Sequence, residues 1–123
     1  MSKFATAAKS ATAVNDGLFN NRQKLKTENL IAAYPEGVTV TEFRRFNGQD
    51  GPFWLVGFKE DPAVYFSATT VMTKILEEWT EKFGGGDPKT ASDALTADGG
   101  CKLKFHQEKT SAGKTFVAVD VLD

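Results

Sequence analysis

The sequence is poor in residues that could stabilise or activate the chain through covalent bonds or metals. Its one cysteine, Cys101, cannot form an intramolecular disulfide, and its one histidine, His106, leaves too few soft ligands for a structural zinc site. The sequence also contains no phosphate-binding loop and no recognisable Ser-His-Asp or Cys-His arrangement. We therefore predict no metal, no cofactor and no catalytic residue, and we do not expect an enzyme.

Charge and hydrophobicity exclude further classes of protein. The chain has 15 basic and 16 acidic side chains, a formal net charge of -1 and 41% hydrophobic residues, so it is neither histone-like nor disordered throughout. Its longest apolar run is only a few residues, far below the ~20 that cross a bilayer, so we expect no transmembrane helix and no membrane partner. The first residues lack the apolar stretch of about 7 to 15 residues that a secretory signal needs, which favours a cytoplasmic protein.

Phenylalanine is the residue type that stands out, with 10 Phe beside 2 Trp and 2 Tyr. At 123 residues the chain has the length of one domain. Residues 1–16 are small and polar, and we interpret them as a mobile N-terminal arm before a single domain over residues 17–123. The aromatic side chains of this domain must belong either to its core or to a stacking surface.

Hydrophobic periodicity predicts the elements of the domain. A short helix over residues 27–34 ends at a proline, and apolar residues at steps of three and four predict a longer helix over residues 71–83. Glycine and polar residues between 84 and 100 predict a connection, in which residues 91–95 favour a helical turn. Alternating or β-branched runs between turn residues predict five strands, at residues 38–46, 53–58, 63–66, 101–107 and 115–122.

The order strand, strand, strand, helix, strand, strand, after a short N-terminal helix, is the order of an OB-fold. We therefore predict a mainly β protein with helices (β/α+β), built as an OB-fold-like, five-stranded, partly open Greek-key barrel. The alternative is an open antiparallel sheet with a helix packed on it, an α+β fold of the cystatin type. A doubly wound parallel sheet is disfavoured because only one helix is predicted between strands.

In an OB-fold the ligand lies across the second and third strands, between the loops that join strands one to two and four to five. In this sequence those loops are residues 47–52 and 109–114. Single-stranded nucleic acid requires cations for its phosphates and aromatic rings for its bases. The predicted surface offers both, and its candidate binding residues are Arg44, Arg45, Phe46, Trp54, Lys59, Tyr65, Lys102, Lys104, Lys109 and Lys114.

Several of these candidates have a second interpretation. Arg44 and Arg45 are adjacent, so in a regular strand they point to opposite faces and one of them is expected to be merely solvated. The alternation breaks at this pair, and we expect a β-bulge there, because one extra residue would restore Phe43 and Phe46 to usable faces. Trp54 lies in an apolar run that is more typical of a core strand. Lys102 and Lys104 alternate with apolar residues and share one face, which is either a binding groove or the solvated side of a strand.

Residues 30–40 and 53–66, with the helix 71–83 and the lysine-rich closing hairpin, resemble small single-stranded-DNA-binding proteins of phages and mobile elements in Gram-positive bacteria. The resemblance covers roughly residues 27–121 and rests on strand order and loop placement. It implies binding of single-stranded DNA with little sequence preference, with RNA as the alternative ligand, in replication, recombination or mobile-element transfer. It also implies a homodimer or higher oligomer. The competing hypothesis is a protein-interaction or oligomerisation module that binds no nucleic acid.

Overall fold

The computed structural model describes residues 18–19 and 21–122, so the predicted arm over residues 1–16 lies outside the described part of the chain. In chain order the elements are β1 (Gln23–Lys24), α1 (Thr27–Ala33), β2 (Val38–Gly48), β3 (Gly51–Phe58), β4 (Val64–Ser67), α2 (Thr70–Gly84), α3 (Pro88–Ala97), β5 (Cys101–Lys109) and β6 (Thr115–Val121).

The predicted succession of elements is present, with two corrections. The structure has six strands, not five, because residues 23–24 form an additional strand, β1. The predicted connection after the long helix contains a full helix of 10 residues, α3, and not a single helical turn. Asp87 caps this helix by accepting a hydrogen bond from the Thr90 backbone N–H at 3.2 Å, and Pro88 occupies its first turn.

The six strands form one sheet in the order β1-β4-β3-β2-β5-β6. Neighbours are antiparallel except for β1, which pairs parallel to β4. The sheet curls into a half-barrel, since the rings of Phe66 on β4 and Phe105 on β5 lie 5.3 Å apart although β3 and β2 separate these strands. The sheet therefore has a concave inner face and a convex outer face.

The concave face carries the core. Large side chains from four strands meet there, and Met72 and Leu76 of α2 close it from one side. The fully buried members of this set from the strands are Val38, Val40, Phe43, Val56, Phe58, Phe66 and Leu103. The phenylalanines are divided between core and surface, since Phe53, Phe83 and Phe116 are exposed. No helix of the described residues has the length and hydrophobicity to cross a membrane.

The bulge in β2 lies earlier than predicted. The register between β2 and β3 shifts between Val40 and Glu42, and from there to Gly48 the pairing continues without interruption through both arginines. The bulge expected at the arginine pair was therefore wrong. Because the alternation is regular beyond the shift, Phe43 and Phe46, three residues apart, lie on opposite faces of the sheet.

Helix α3 supplies hydrogen-bond partners to the backbone of β2 where β2 separates from β5. The two strands pair only from Val38 to Val40, which leaves the next residues of β2 without a strand neighbour on that side. The Phe43 N–H donates to Ser92 Oγ at 3.0 Å, and the Thr96 hydroxyl donates to the Thr41 carbonyl at 2.6 Å. The helix thereby satisfies backbone groups that the curled sheet would otherwise leave unpaired.

Candidate functional site

A pocket lined mainly by aromatic side chains lies on the convex face, next to the β2–β3 turn. Phe46 and Phe53 are directly opposite each other in the β2–β3 pair, and their rings stack at a centroid distance of 5.5 Å and an angle of 18°. Tyr65 on β4 extends this surface. The pocket has a volume of about 630 Å³, and its lining residues are Phe19, Lys24, Phe46, Phe53, Leu55, Tyr65 and Ser67. We call this site the aromatic pocket.

The segment before α1 forms one wall of the aromatic pocket. The Gln23 N–H donates to the Ala63 carbonyl at 3.0 Å and the Leu25 N–H to the Tyr65 carbonyl at 2.7 Å, which fixes the segment along the edge of β4. Phe19 is buried, and its ring lies 5.5 Å from that of Tyr65. The register pairs Lys24 with Tyr65, so this lysine shares the convex face with the pocket.

An ion pair holds the same segment against the convex face. Arg22 Nη1 lies 2.8 Å from Glu42 Oε1, and the Arg22 guanidinium stands 5.1 Å above the Phe19 ring. The pair crosses β3 at Gly57, where an added Cβ would lie 2.6 Å from Arg22 Nη1 and 2.7 Å from Glu42 Oε1. A glycine at this position therefore allows the ion pair to lie flat on the sheet.

The cations of the convex face lie on both sides of β2. Lys24 and Lys59 are exposed on the β3–β4 side, and the Lys59 N–H donates to the Thr39 carbonyl at 2.9 Å. On β5, Lys102 is opposite Thr39 and Lys104 is opposite Asp120 of β6, which places both lysines on the convex face. Lysines on this face can contact the phosphates of a strand that passes across the sheet.

Acidic groups reduce the positive charge near β6. His106, on the same face as the two lysines of β5, has Nδ1 at 3.2 Å from Glu108 Oε1 and Nε2 at 3.0 Å from Asp120 Oδ2. The second contact has the distance of an ion pair but lacks hydrogen-bond geometry. The excess of positive charge on this face is therefore concentrated away from the sheet edge. Within the described residues, no group of three or more His, Cys, Asp or Glu side chains could hold a metal ion.

The predicted site residues do not all come together. Phe46 and Tyr65 line the aromatic pocket, and Lys59, Lys102 and Lys104 lie outside it on or beside the convex face. Lys109 and Lys114 flank the exposed tip of the β5–β6 hairpin. This tip lies at the other end of the sheet from the β2–β3 turn, because β5 is antiparallel to β2 and continues past Val38.

Three predicted site residues do not line the pocket, although Arg44 lies opposite Leu55 on the convex face. Trp54 is only 3% exposed and packs against Phe43 in the core, with ring centroids 5.9 Å apart. Arg44 is 5% exposed, and its Nη1 donates to the Phe43 carbonyl at 2.8 Å. Arg45 is exposed on the same face of the sheet as Trp54, opposite to the pocket, with its guanidinium 5.8 Å from the Trp54 ring. These positions give the two buried side chains a structural role in the sheet.

Sequence reasoning missed five residues of the pocket: Phe19, Lys24, Phe53, Leu55 and Ser67. The alternation of β3 held part of the signal, because Phe53 and Leu55 must share a face opposite to Trp54 and Val56. All four side chains are apolar, however, so hydrophobicity alone did not indicate which pair faces outward. Phe19 and Lys24 precede the helix predicted over residues 27–34, in a segment for which no strand was expected.

A second pocket, of about 420 Å³, lies between α2, α3 and the start of β5. Its walls include Trp79, Phe83, Leu95 and Cys101, and its only charged lining residue is Asp98. It therefore lacks the cations that an anionic polymer requires.

Comparisons with known proteins return no match: no family model fits the sequence, and no curated protein or solved structure is significantly similar to the chain.

Proposed function

We propose that this protein binds single-stranded nucleic acid, primarily DNA, with little sequence preference. Bases stack on Phe46, Phe53 and Tyr65 in the aromatic pocket, and phosphates contact Lys24 in the pocket wall and the more distant Lys59 and Lys102 of the same face. The observation that carries the proposal is a half-exposed aromatic surface beside lysines on the outer face of the sheet. Aromatic stacking needs no base-specific hydrogen bonds, so such a site tolerates any sequence.

The topology supports the same function. Without β1, the order β4-β3-β2-β5-β6, with the helices between β4 and β5, corresponds to an OB-type Greek-key barrel left open between its third and fifth strands. In that scheme β3 and β4 are the second and third strands of the barrel. Their outer face is where OB-folds bind oligonucleotides, and it is the face on which the aromatic pocket lies. From the resemblance to small phage and mobile-element proteins, we further propose that this activity serves replication, recombination or DNA transfer.

The test is a titration of a fluorescently labelled oligo-dT of about 16 nucleotides, the upper site size of one OB fold. Fluorescence anisotropy is the appropriate readout, because Trp54 is buried and Trp79 faces the second pocket, so tryptophan quenching would be a poor reporter. If about three lysines contact phosphates, the slope of log affinity against log salt is about -2, and raising salt from 50 to 200 mM weakens binding roughly 20-fold.

Duplex DNA of the same length and oligo-rU serve as comparison ligands. We expect clearly weaker binding to the duplex, because its bases are not available for stacking. The absence of any anisotropy change at 50 mM salt and high protein concentration would rule out the proposal. It would favour the interaction-module hypothesis in its place.

A further inference from the structure

The outer edge of β6 is built to accept another strand. Strand β6 pairs along its full length with β5, from Leu103 opposite Val121 to Lys109 opposite Thr115. On its other side no strand of the described residues pairs with it. The other end of the sheet is different, since β1 has only 2 residues. The β6 edge is therefore the longer of the two open edges of the sheet.

The backbone of β6 shows which groups point to this edge. The Leu122 N–H donates to the Lys102 carbonyl at 2.9 Å, and the Lys114 carbonyl accepts from the Thr110 N–H at 2.8 Å. Even-numbered residues of β6 therefore direct their N–H and C=O groups towards β5, because these directions alternate in an antiparallel pair. The odd-numbered residues direct theirs to the open edge, and they are Thr115, Val117, Val119 and Val121.

The sequence of β6 has none of the usual blocks to strand pairing, although residues of α2 lie close to the strand. Exposed edges of native sheets are commonly blocked by lysine, proline, a bulge or a very short strand. Between Thr115 and Val121 there is no lysine, proline or glycine, and the sole charged residue is Asp120. The edge is also apolar, since Phe116, Val121 and Leu122 are 41%, 57% and 46% exposed.

Charge complementarity favours a second β6 as the partner strand, in addition to the contacts that Asp120 makes with Lys104 and His106 of its own chain. In an antiparallel pair of two β6 strands with the two-fold axis at Val117, Lys114 of each copy is opposite Asp120 of the other. Val117 then faces Val117, and Phe116 faces Ala118. With the axis at Ala118 or Val119, Asp120 instead faces Phe116 or Ala118 and gains no charged partner. All three registers bring the outward backbone groups of odd-numbered residues together, so the charged pair is what distinguishes the first.

We propose that two copies of this chain associate through antiparallel pairing of their β6 strands, in the register that places Lys114 opposite Asp120. The pairing is isologous and closes after two copies. Residues that face each other across an antiparallel pair lie on the same side of the sheet, so the convex faces of both copies point the same way. The proposal does not depend on nucleic-acid binding.

The test measures self-association of the full chain by analytical ultracentrifugation over a range of concentrations. Lys114→Glu and Asp120→Lys each replace two attractive cross-strand pairs by two repulsive ones, and each should weaken the dimer roughly tenfold or more. The double variant restores opposite charges at both pairs and should recover the wild-type dissociation constant within about threefold. Circular dichroism confirms that each variant is folded.

Lys109→Glu is the matched control, because it reverses the same charge on the β5 side of the same hairpin, away from the open edge. It should leave dimerisation unchanged. A wild-type chain that remains monomeric at all concentrations overturns the proposal. A dimer that the single variants leave intact, or that the double variant fails to restore, overturns it as well.

Discussion

Phe53 presents the most exposed aromatic ring of the aromatic pocket, so Phe53→Ala is the most direct test of base stacking. The side chain is 43% exposed, and one face of its ring is covered by Phe46 at a centroid distance of 5.5 Å. The other face is available for one base. A stacked base contributes about 1 to 3 kcal/mol, and 1.4 kcal/mol corresponds to a factor of ten. We expect Phe53→Ala to weaken oligo-dT binding about 5- to 150-fold.

The same substitution has a limited effect on folding. A fully buried Phe replaced by Ala costs about 3 to 5 kcal/mol, and Phe53 buries only a little more than half of its surface. We therefore expect a loss of roughly 2 kcal/mol in the free energy of unfolding. Affinity is measured by anisotropy at a temperature well below the melting transition, which circular dichroism determines for each variant.

Phe83→Ala provides the control for a general loss of aromatic surface. Phe83 is 61% exposed but lies on α2, beside the second pocket and away from the convex face. This variant should bind oligo-dT as tightly as the wild type. Unchanged affinity of Phe53→Ala, or an equal loss in Phe83→Ala, would refute base stacking in the aromatic pocket.

Three further predictions concern charge, the pocket wall and the cap of α3. Lys24→Gln should lower the magnitude of the salt slope by about 0.7, the effect of one phosphate contact on a single strand, in the two-salt titration. Gly57→Ala should separate Arg22 from Glu42, loosen the pocket wall and weaken oligo-dT binding several-fold with little change in melting temperature, because only flexible side-chain ends must move. Asp87→Ala should cost about 1 kcal/mol of stability in urea unfolding and Asp87→Asn much less, because Asn also caps helices well. The hydrogen bond from the Thr90 hydroxyl lowers the pKa of the Asp87 carboxyl from 3.8. The contribution of Asp87 to the free energy of unfolding is therefore present above about pH 4 and is lost as pH falls through the lowered pKa. A difference in stability between wild type and Asp87→Ala that does not change with pH across this range would contradict the assignment.

Much of the fold can be predicted from the sequence, because local hydrophobic patterns and turn residues indicate most of its helices and strands. Apolar residues at three- and four-residue steps predicted α2, and turn residues between alternating runs predicted the five strands β2 to β6. The strand β1 was not predictable in this way. It has 2 residues and no alternation, and it exists because the edge of β4 offers backbone partners to a segment that is distant in sequence.

The sequence predicted which kinds of residue form the site but not which individual residues do. Composition and strand order indicated aromatic and basic residues on the outer face of the sheet, and Phe46 and Tyr65 are part of the aromatic pocket. The shift of the register between Val40 and Glu42 placed Phe43 in the core and Phe46 outside, and the same alternation buried Trp54. A displacement of one residue reverses every face assignment along a strand, so such assignments depend on the pairing partner.

The sequence by itself determined that the chain has one cysteine, no excess of charge and a succession of elements suited to a curled, mainly β sheet. These properties follow from composition and from contacts between residues close in the chain. The tertiary structure decided which aromatic side chains are exposed, brought Phe19 and Lys24 beside Tyr65, and gave β6 only one strand neighbour among the described residues. Each of these depends on strand register and sheet curvature, which arise from pairing between distant segments.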